Sequence, residues 1–270
     1  MLRAMIFVDF ENFNINRDNL YKSGNKITPH FDYTKFADNL VNLLQIDITI
    51  VKSIYFVPKP DDFLIQDDFY KNKNEWYDSL RSINNISVIE SNHIARPAPG
   101  LTNQDMKIAD KTTYYITEKG TDVNLTAHLL TKGFMNTYDV AIIVSGDTDY
   151  IPAIEILNTI GKSVIIVAVK GQVLSKFKKV TDRQVLLDRT FFKKCELAKT
   201  KNTSKAKVKT QSVIQAQTKT TDSKLKTIDN TSVKNKTATG KSSIDKKSTT
   251  AKKTVTKTTK STKSTKAKTS

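Results

Sequence analysis

The sequence contains one cysteine, Cys195, in 270 residues. A single thiol cannot form a disulfide within the chain, nor can it supply the Cys-x-x-Cys pair of a zinc ribbon. No apolar run approaches the roughly 18 residues that a membrane-spanning helix needs. Asp9 also interrupts the first hydrophobic segment too early for a secretory signal. We therefore expect a soluble cytoplasmic protein without an internal disulfide.

Several common catalytic motifs are also missing from the chain. It contains no G-x-G-x-x-G, no H-E-x-x-H and no serine nucleophile elbow. The triplet Gly161-Lys162-Ser163 matches the end of a P-loop, but Ile156 stands where the first P-loop glycine belongs. These observations argue against a dinucleotide-binding enzyme, a zinc protease, a serine hydrolase and a P-loop nucleotidase.

The positive charge of the chain is confined to its C-terminal part. Residues 199–270 contain 20 lysines, three acids and no Phe, Tyr, Trp, Met or Cys. The net charge of this tail, +17, equals that of the whole chain, so the first 198 residues are formally neutral. Such a composition buries too little apolar surface to offset the loss of chain entropy. We predict a disordered tail that follows one globular body.

The lysine-rich tail has the charge needed to bind nucleic acid. Non-specific binding is dominated by neutralising phosphates and releasing their counterions. Because the tail lacks aromatic side chains for stacking bases, we expect it to hold RNA without reading its sequence. DNA or an anionic membrane would attract the same charge. A tail that only keeps the protein in solution is the alternative.

Short apolar runs alternate with amphipathic stretches through the first 180 residues. Strands are predicted at residues 4–8, 48–57, 86–90, 139–144 and 163–168. Helices are predicted at residues 31–44, 66–83, 122–132, 150–160 and 173–180, while 106–117 fits a strand or a loop. This alternation is typical of an α/β fold with a parallel sheet and helices on both faces.

Acidic residues follow two of the predicted strands. Asp9 ends the first, and Asp147 and Asp149 come directly after the strand at 139–144. Asp122 opens a predicted helix and can reach the same carboxyl edge of the sheet, where ligands bind in such folds. Clustered carboxylates repel one another unless a cation compensates. Mg²⁺ or Mn²⁺ prefers such oxygen ligands and activates water for attack on a phosphodiester.

Three motifs around these acids resemble the NYN domain, and in particular its LabA-like branch, within the PIN-like nuclease superfamily. They are D-x-x-N at Asp9 and Asn12, K-G-x-D at Lys119 to Asp122, and S-G-D-x-D-[FY] at Ser145 to Tyr150. The resemblance covers residues 1–180. It implies a Rossmann-like fold for these residues. We expect 181–198 to extend the domain, and the composition marks 199–270 as the tail.

The resemblance implies a divalent-metal ribonuclease site with Mg²⁺ or Mn²⁺ as cofactor and RNA as partner. The expected catalytic and metal-binding residues are Asp9, Asp122, Asp147 and Asp149, of which Asp122 either binds the metal or orients the attacking water. The expected supporting residues are Asn12, Ser145, Lys119 and His128. His128 departs from the family pattern, since relatives often carry an aspartate there, and imidazole suits Mg²⁺ poorly.

Each of these acids also has a purely structural explanation. Asp9 can cap a following helix, Asp122 can complement a helix dipole, and the acids after residue 144 can brace a turn. Glu11, His30 and His93 are expected at the surface, and Trp76 in the core.

Two other functions compete with the nuclease. The first is a nucleic-acid-binding or regulatory module of the same fold that has lost turnover, which His128 and the neutral body favour. The second is a phosphatase, but its D-x-D-x-T signature is missing, since the first strand ends in Asp9-Phe10-Glu11.

Overall fold

The structure, a computed structural model, describes residues 1–197. The predicted disordered tail lies outside the described residues. Within them, strands β1 to β7 span Leu2–Asp9, Ile48–Pro60, Ile86–Pro97, Tyr114–Lys119, Val140–Val144, Ser163–Val169 and Arg183–Leu187. Helices α1 to α6 span Phe10–Lys22, Phe36–Leu44, Asp68–Arg81, Thr121–Phe134, Ile151–Thr159 and Arg189–Lys194. Short 3-10 turns lie at Leu64–Gln66, Asn103–Asp105, Thr148–Tyr150 and Ser175–Lys179.

The strands form one sheet in the order β4-β3-β2-β1-β5-β6-β7. All neighbouring pairs are parallel except β3 and β4, which are antiparallel. The central strand β1 lies between β2 and β5, and its apolar run is fully buried, as expected for a strand covered on both faces. The predicted α/β fold with a mainly parallel sheet is therefore confirmed.

Alternate residues of β1 point to two hydrophobic layers. Ala4, Ile6 and Val8 pack with residues of α1, α2, α3 and α6, whereas Met5 and Phe7 pack with residues of α4 and α5. Side chains on a strand point alternately to the two faces of the sheet, so one strand serves both layers. Helices cover both faces, as predicted.

Helix α1 is the main element that the hydrophobic pattern does not predict. Its sequence is rich in asparagine, a poor helix former, and its mean hydropathy is low. Packing compensates, because Phe10, Phe13, Arg17 and Tyr21 form a buried stripe at helical spacing. Tertiary contacts thus decide the structure of a segment whose local propensity is weak.

Several predicted boundaries differ from the observed ones. The helix predicted at 31–44 begins only at Phe36, and the one at 173–180 is a 3-10 turn. Strand β3 continues to Pro97 instead of ending at residue 90, because it pairs with β4 over its second half. Strand β7 and helix α6, which fall in the predicted extension 181–198, carry no strong periodic signal. Trp76 is partly buried and its ring lies 5.3 Å from that of Phe10.

Among residues 1–197, no helix is both long enough and apolar enough to cross a membrane.

Candidate functional site

The candidate site lies where the strand order reverses its direction along the chain. Strand β1 continues into α1 on one face, and its neighbour β5 continues into the 3-10 turn and α5 on the other. The carboxyl ends of β1 and β5 therefore open a crevice between their two connections. This is the position at which parallel α/β sheets bind ligands.

Asp9 is the most deeply buried acid of this crevice, with 5% of its surface exposed. Its Oδ1 accepts a hydrogen bond from the backbone N–H of Asn12 at 3.3 Å, which caps α1. Its Oδ2 accepts one from Ser145 Oγ at 3.0 Å. Burial nevertheless raises the pKa of Asp9 to about 6, because desolvation outweighs these hydrogen bonds and the nearby carboxylate of Asp122 adds repulsion.

Tyr150 connects Asp9 to Asp122. Its hydroxyl lies 3.2 Å from Asp9 Oδ2 and 2.8 Å from Asp122 Oδ1. The two carboxylate oxygens can therefore be at most 6.0 Å apart, the sum of these distances. We call Asp9 and Asp122 the carboxylate pair. The structure thus brings an acid from the end of β1 and an acid from the first turn of α4 to one buried tyrosine.

The Tyr150 hydroxyl is shared by both acids of the carboxylate pair. Burial and the two carboxylates raise the pKa of Tyr150, so its hydroxyl keeps its single proton. This single proton is shared between two carboxylates and adds no positive charge to them. Among residues 1–197, neither Asp9 nor Asp122 forms an ion pair with a basic side chain. Two acids this close without a basic partner are the feature that fits a cation-binding role.

Asp147 and Asp149 lie at the same edge, in the loop after β5. The backbone N–H of Asp147 donates to Ser145 Oγ at 3.1 Å. The same hydroxyl donates to Asp9 Oδ2, so Ser145 connects the backbone of Asp147 to the carboxylate of Asp9. Its side chain accepts from the backbone N–H of Asp149 at 3.0 Å and thereby caps the 3-10 turn. Asp149 is exposed to solvent. Asp147 therefore caps the turn, which is the structural role expected for it, and its role in binding a metal stays a prediction.

Asn12 holds the loop after β5 in place. Its Oδ1 accepts hydrogen bonds from the backbone N–H of Gly146 at 3.3 Å and from Gln172 Nε2 at 3.0 Å. A β-carbon on Gly146 would lie 2.3 Å from Gln172 Nε2, so a larger residue would displace this amide. Gln172 was not predicted from the sequence, because it follows Asn12 by 160 positions and belongs to no motif.

A second group of charged side chains lies next to the carboxylate pair. The expectation that Glu11 is a surface acid is wrong, since it forms an ion pair with Lys73 in which the side chains are 23% and 14% exposed. Burial would raise the pKa of Glu11, but Lys73 outweighs burial and lowers it. The pKa of Glu118 is raised by desolvation, and it is influenced by Glu11 and Asp122, so it links the two groups.

His93 is also not the ordinary surface residue expected. Its Nδ1 is buried without a hydrogen-bond partner, and its pKa is lowered to about 4 by burial and by Lys73. His30, by contrast, is exposed as expected.

The two remaining supporting candidates lie on β4 and α4. Lys119 is exposed at the end of β4. His128 follows Asp122 by six residues in α4, which corresponds to about 9 Å along a helix axis. Its ring centroid lies 5.8 Å from that of Phe56, and its pKa is lowered by burial and by Lys132.

The oxygen atoms of the carboxylate pair are of the kind that binds a hard divalent cation. They are carboxylate oxygens, which Mg²⁺ and Mn²⁺ prefer, and the hydroxyl of Tyr150 contacts both acids. Within residues 1–197, no three His, Cys, Asp or Glu side chains are placed closely enough to surround a metal ion.

The raised pKa of Asp9 predicts a pH dependence of stability. The pKa of Asp9 is 3.8 in the unfolded chain and about 6 in the folded chain. Between these two pH values Asp9 loses its proton more readily in the unfolded chain, so stability falls as pH rises. The shift corresponds to about 3 kcal/mol. In EDTA, the stability of Asp9→Asn relative to the unmodified chain should therefore increase by about that amount between pH 4 and pH 7, as measured by urea unfolding.

Comparison with the variant is necessary because His93 acts in the opposite direction. Its lowered pKa gives stability that is present above pH 6.5 and lost as pH falls toward 4. His93→Gln removes this second slope and serves as the control. A stability difference between Asp9→Asn and the unmodified chain that stays constant from pH 4 to pH 7 would contradict the raised pKa.

Comparisons with known proteins identify the family of the chain. No curated protein matches the chain. A solved structure of a protein of unknown function from Vibrio parahaemolyticus RIMD 2210633 is 17% identical, covers 73% of this chain and 96% of its own, and has a TM-score of 0.47. The family model described as NYN domain matches residues 3–188. The chain therefore belongs to the NYN domain family, which is part of the PIN-like nuclease superfamily.

Proposed function

We propose that this chain is an endoribonuclease that depends on Mg²⁺ or Mn²⁺ and belongs to the LabA-like branch of its family. The observation that carries the proposal is the carboxylate pair, two acids joined through one tyrosine hydroxyl at the carboxyl edge of the sheet. Membership of a family of nuclease-like fold, whose members typically use divalent metals, supports it.

The proposed metal-binding residues are Asp9, Asp122, Asp147 and Asp149. The pair supplies oxygens from β1 and α4, and the loop after β5 supplies the other two acids. Ser145 and Tyr150 orient Asp9 through their hydroxyl groups. Asn12 supports the loop after β5, because its Oδ1 accepts a hydrogen bond from the backbone N–H of Gly146.

The proposed reaction is direct hydrolysis of an RNA phosphodiester. A divalent cation at the site supplies positive charge that activates water and stabilises the phosphoryl group during an in-line displacement. The water oxygen bonds to phosphorus as the bond to the leaving nucleotide oxygen breaks, with no covalent intermediate on the protein. The attacking water releases a proton to solvent, and the leaving oxygen takes up a proton from solvent. Asp122, exposed at the start of α4, either binds the cation or orients this water.

The proposed division of the chain follows its charge. Residues 1–180 form the nuclease domain, 181–198 extend it, and the lysines of 199–270 hold RNA near the site by neutralising its phosphates. Because this contact is not specific for RNA, DNA is the second substrate to compare.

Removal of the metal gives the direct test. The full chain should cleave single-stranded RNA in Mn²⁺, lose this activity in EDTA, and regain it when Mn²⁺ is restored in excess. The reason is that neither acid of the pair forms an ion pair with a basic side chain of residues 1–197, so the metal has to supply the positive charge. Fragment analysis on a denaturing gel measures the effect. Undiminished cleavage in EDTA would show that the activity does not depend on a metal.

A binding module that has lost turnover is the second candidate, favoured by the formally neutral body and the basic tail. It should bind RNA and leave it intact at every Mn²⁺ concentration. The same gel, combined with a filter-binding measurement, separates the two functions.

A further inference from the structure

Tyr150 lies at the centre of the carboxylate pair. It is 1% exposed, and its ring packs in the hydrophobic layer formed with α4 and α5. Its hydroxyl contacts the carboxylate at the end of β1 and the carboxylate in the first turn of α4. A buried ring that cannot move freely is well suited to fix the position of a polar group at its tip.

The two acids that meet at Tyr150 come from two different elements, the end of β1 and the first turn of α4. Asp9 is fixed by its helix cap and by Ser145. Asp122 is exposed in the first turn of α4, and its Oδ1 accepts a hydrogen bond from the Tyr150 hydroxyl at 2.8 Å. Without the hydroxyl, Asp122 would lose this tie to Asp9 and gain rotamer freedom.

We infer that Tyr150 is a positioning residue, whose hydroxyl holds Asp122 next to Asp9 in the arrangement that receives a divalent cation. The inference rests on the proposed function, and it concerns the hydroxyl alone. The sequence motif allows Phe or Tyr at this position. The hydrogen bond from the hydroxyl to Asp122 is therefore a feature of this chain and is not required by the motif. Hydrogen bonds that orient metal-binding carboxylates typically contribute 10- to 100-fold to metal affinity.

The chain offers a matched control in Tyr138. This tyrosine is also fully buried in the same hydrophobic layer, and its hydroxyl donates to the backbone oxygen of Leu129 at 2.7 Å. Tyr138→Phe and Tyr150→Phe therefore both remove one buried hydroxyl and keep the ring. They differ in whether the lost hydroxyl contacted carboxylates.

The experiment measures Mn²⁺ binding to the full chain by isothermal titration calorimetry, with RNA cleavage as a second readout. Tyr150→Phe should weaken Mn²⁺ binding by about 10- to 100-fold and lower kcat with little change in the KM for RNA. Tyr138→Phe should leave Mn²⁺ affinity and kcat unchanged. Thermal unfolding of both variants records any general loss of stability.

The outcomes separate the inference from the proposed function. Equal Mn²⁺ affinity in Tyr150→Phe and Tyr138→Phe would overturn the inference while the nuclease stands. Tighter Mn²⁺ binding by Tyr150→Phe would also overturn it, because the hydroxyl would then compete with the cation. A full chain that neither binds Mn²⁺ nor cleaves RNA would overturn both.

Discussion

Asp9→Asn should lower the rate of RNA cleavage in Mn²⁺ by about 1,000-fold or more. The substitution removes a charge that the proposed cation needs, and stabilisation by such a cation amounts to several kcal/mol at the transition state. Asparagine caps helices as well as aspartate does, so α1 should remain intact. The initial rate of cleavage of a labelled single-stranded RNA, measured at saturating Mn²⁺, gives the effect.

The control for this prediction is Asp62→Asn, which neutralises an exposed acid after β2 and should leave the rate unchanged. Asp147→Asn extends the test to the loop after β5. Asparagine can retain the cap of the 3-10 turn there, so a lower rate would reflect the lost charge. Full activity in both Asp9→Asn and Asp147→Asn would remove the enzymatic proposal.

Removal of residues 199–270 should weaken RNA binding and nearly abolish its dependence on salt. If six lysines of the full tail contact phosphates, the log–log slope is about −4, because each contact to a single strand contributes roughly 0.7. Affinity of the full chain should then fall by about 300-fold between 50 and 200 mM salt. The remaining body is formally neutral, so its slope should lie near zero.

A tail of the same composition in shuffled order is the matched control, and it should bind RNA like the unmodified chain. Fluorescence anisotropy across a salt series measures the slopes. The affinity of the truncated chain for Mn²⁺ should not change, since the carboxylate pair lies in β1 and α4. Equal RNA affinity of the truncated and full chains at low salt would refute the tethering role.

The sequence was sufficient to predict the fold class because the buried strands carry continuous apolar runs. Strands β1, β5 and β6 are nearly completely buried, and each was visible as a short hydrophobic segment. Helix α1 was not visible, since its stability depends on packing and on the cap by Asp9 rather than on propensity. Strand β7 and helix α6 were missed for a similar reason, as short elements with little periodicity.

The positions of the candidate acids followed from the motifs, but the contacts among them did not. Asp9, Asp122 and Asp147 each follow or open an element that the sequence pattern predicts. The ion pair of Glu11 with Lys73 joins residues 62 positions apart, and no local spacing indicates it. The expectation of a surface acid failed because burial depends on which helix packs over the residue.

By itself, the sequence determined the separation of charge between body and tail, the alternation of strands and helices, and the acids that end them. These properties depend on composition and on local periodicity, which short segments carry. Only the tertiary structure decided that Tyr150 joins Asp9 to Asp122 and that Gln172 supports Asn12. Such contacts connect residues that are 28 to 160 positions apart, and their geometry is fixed by the packing of the whole sheet.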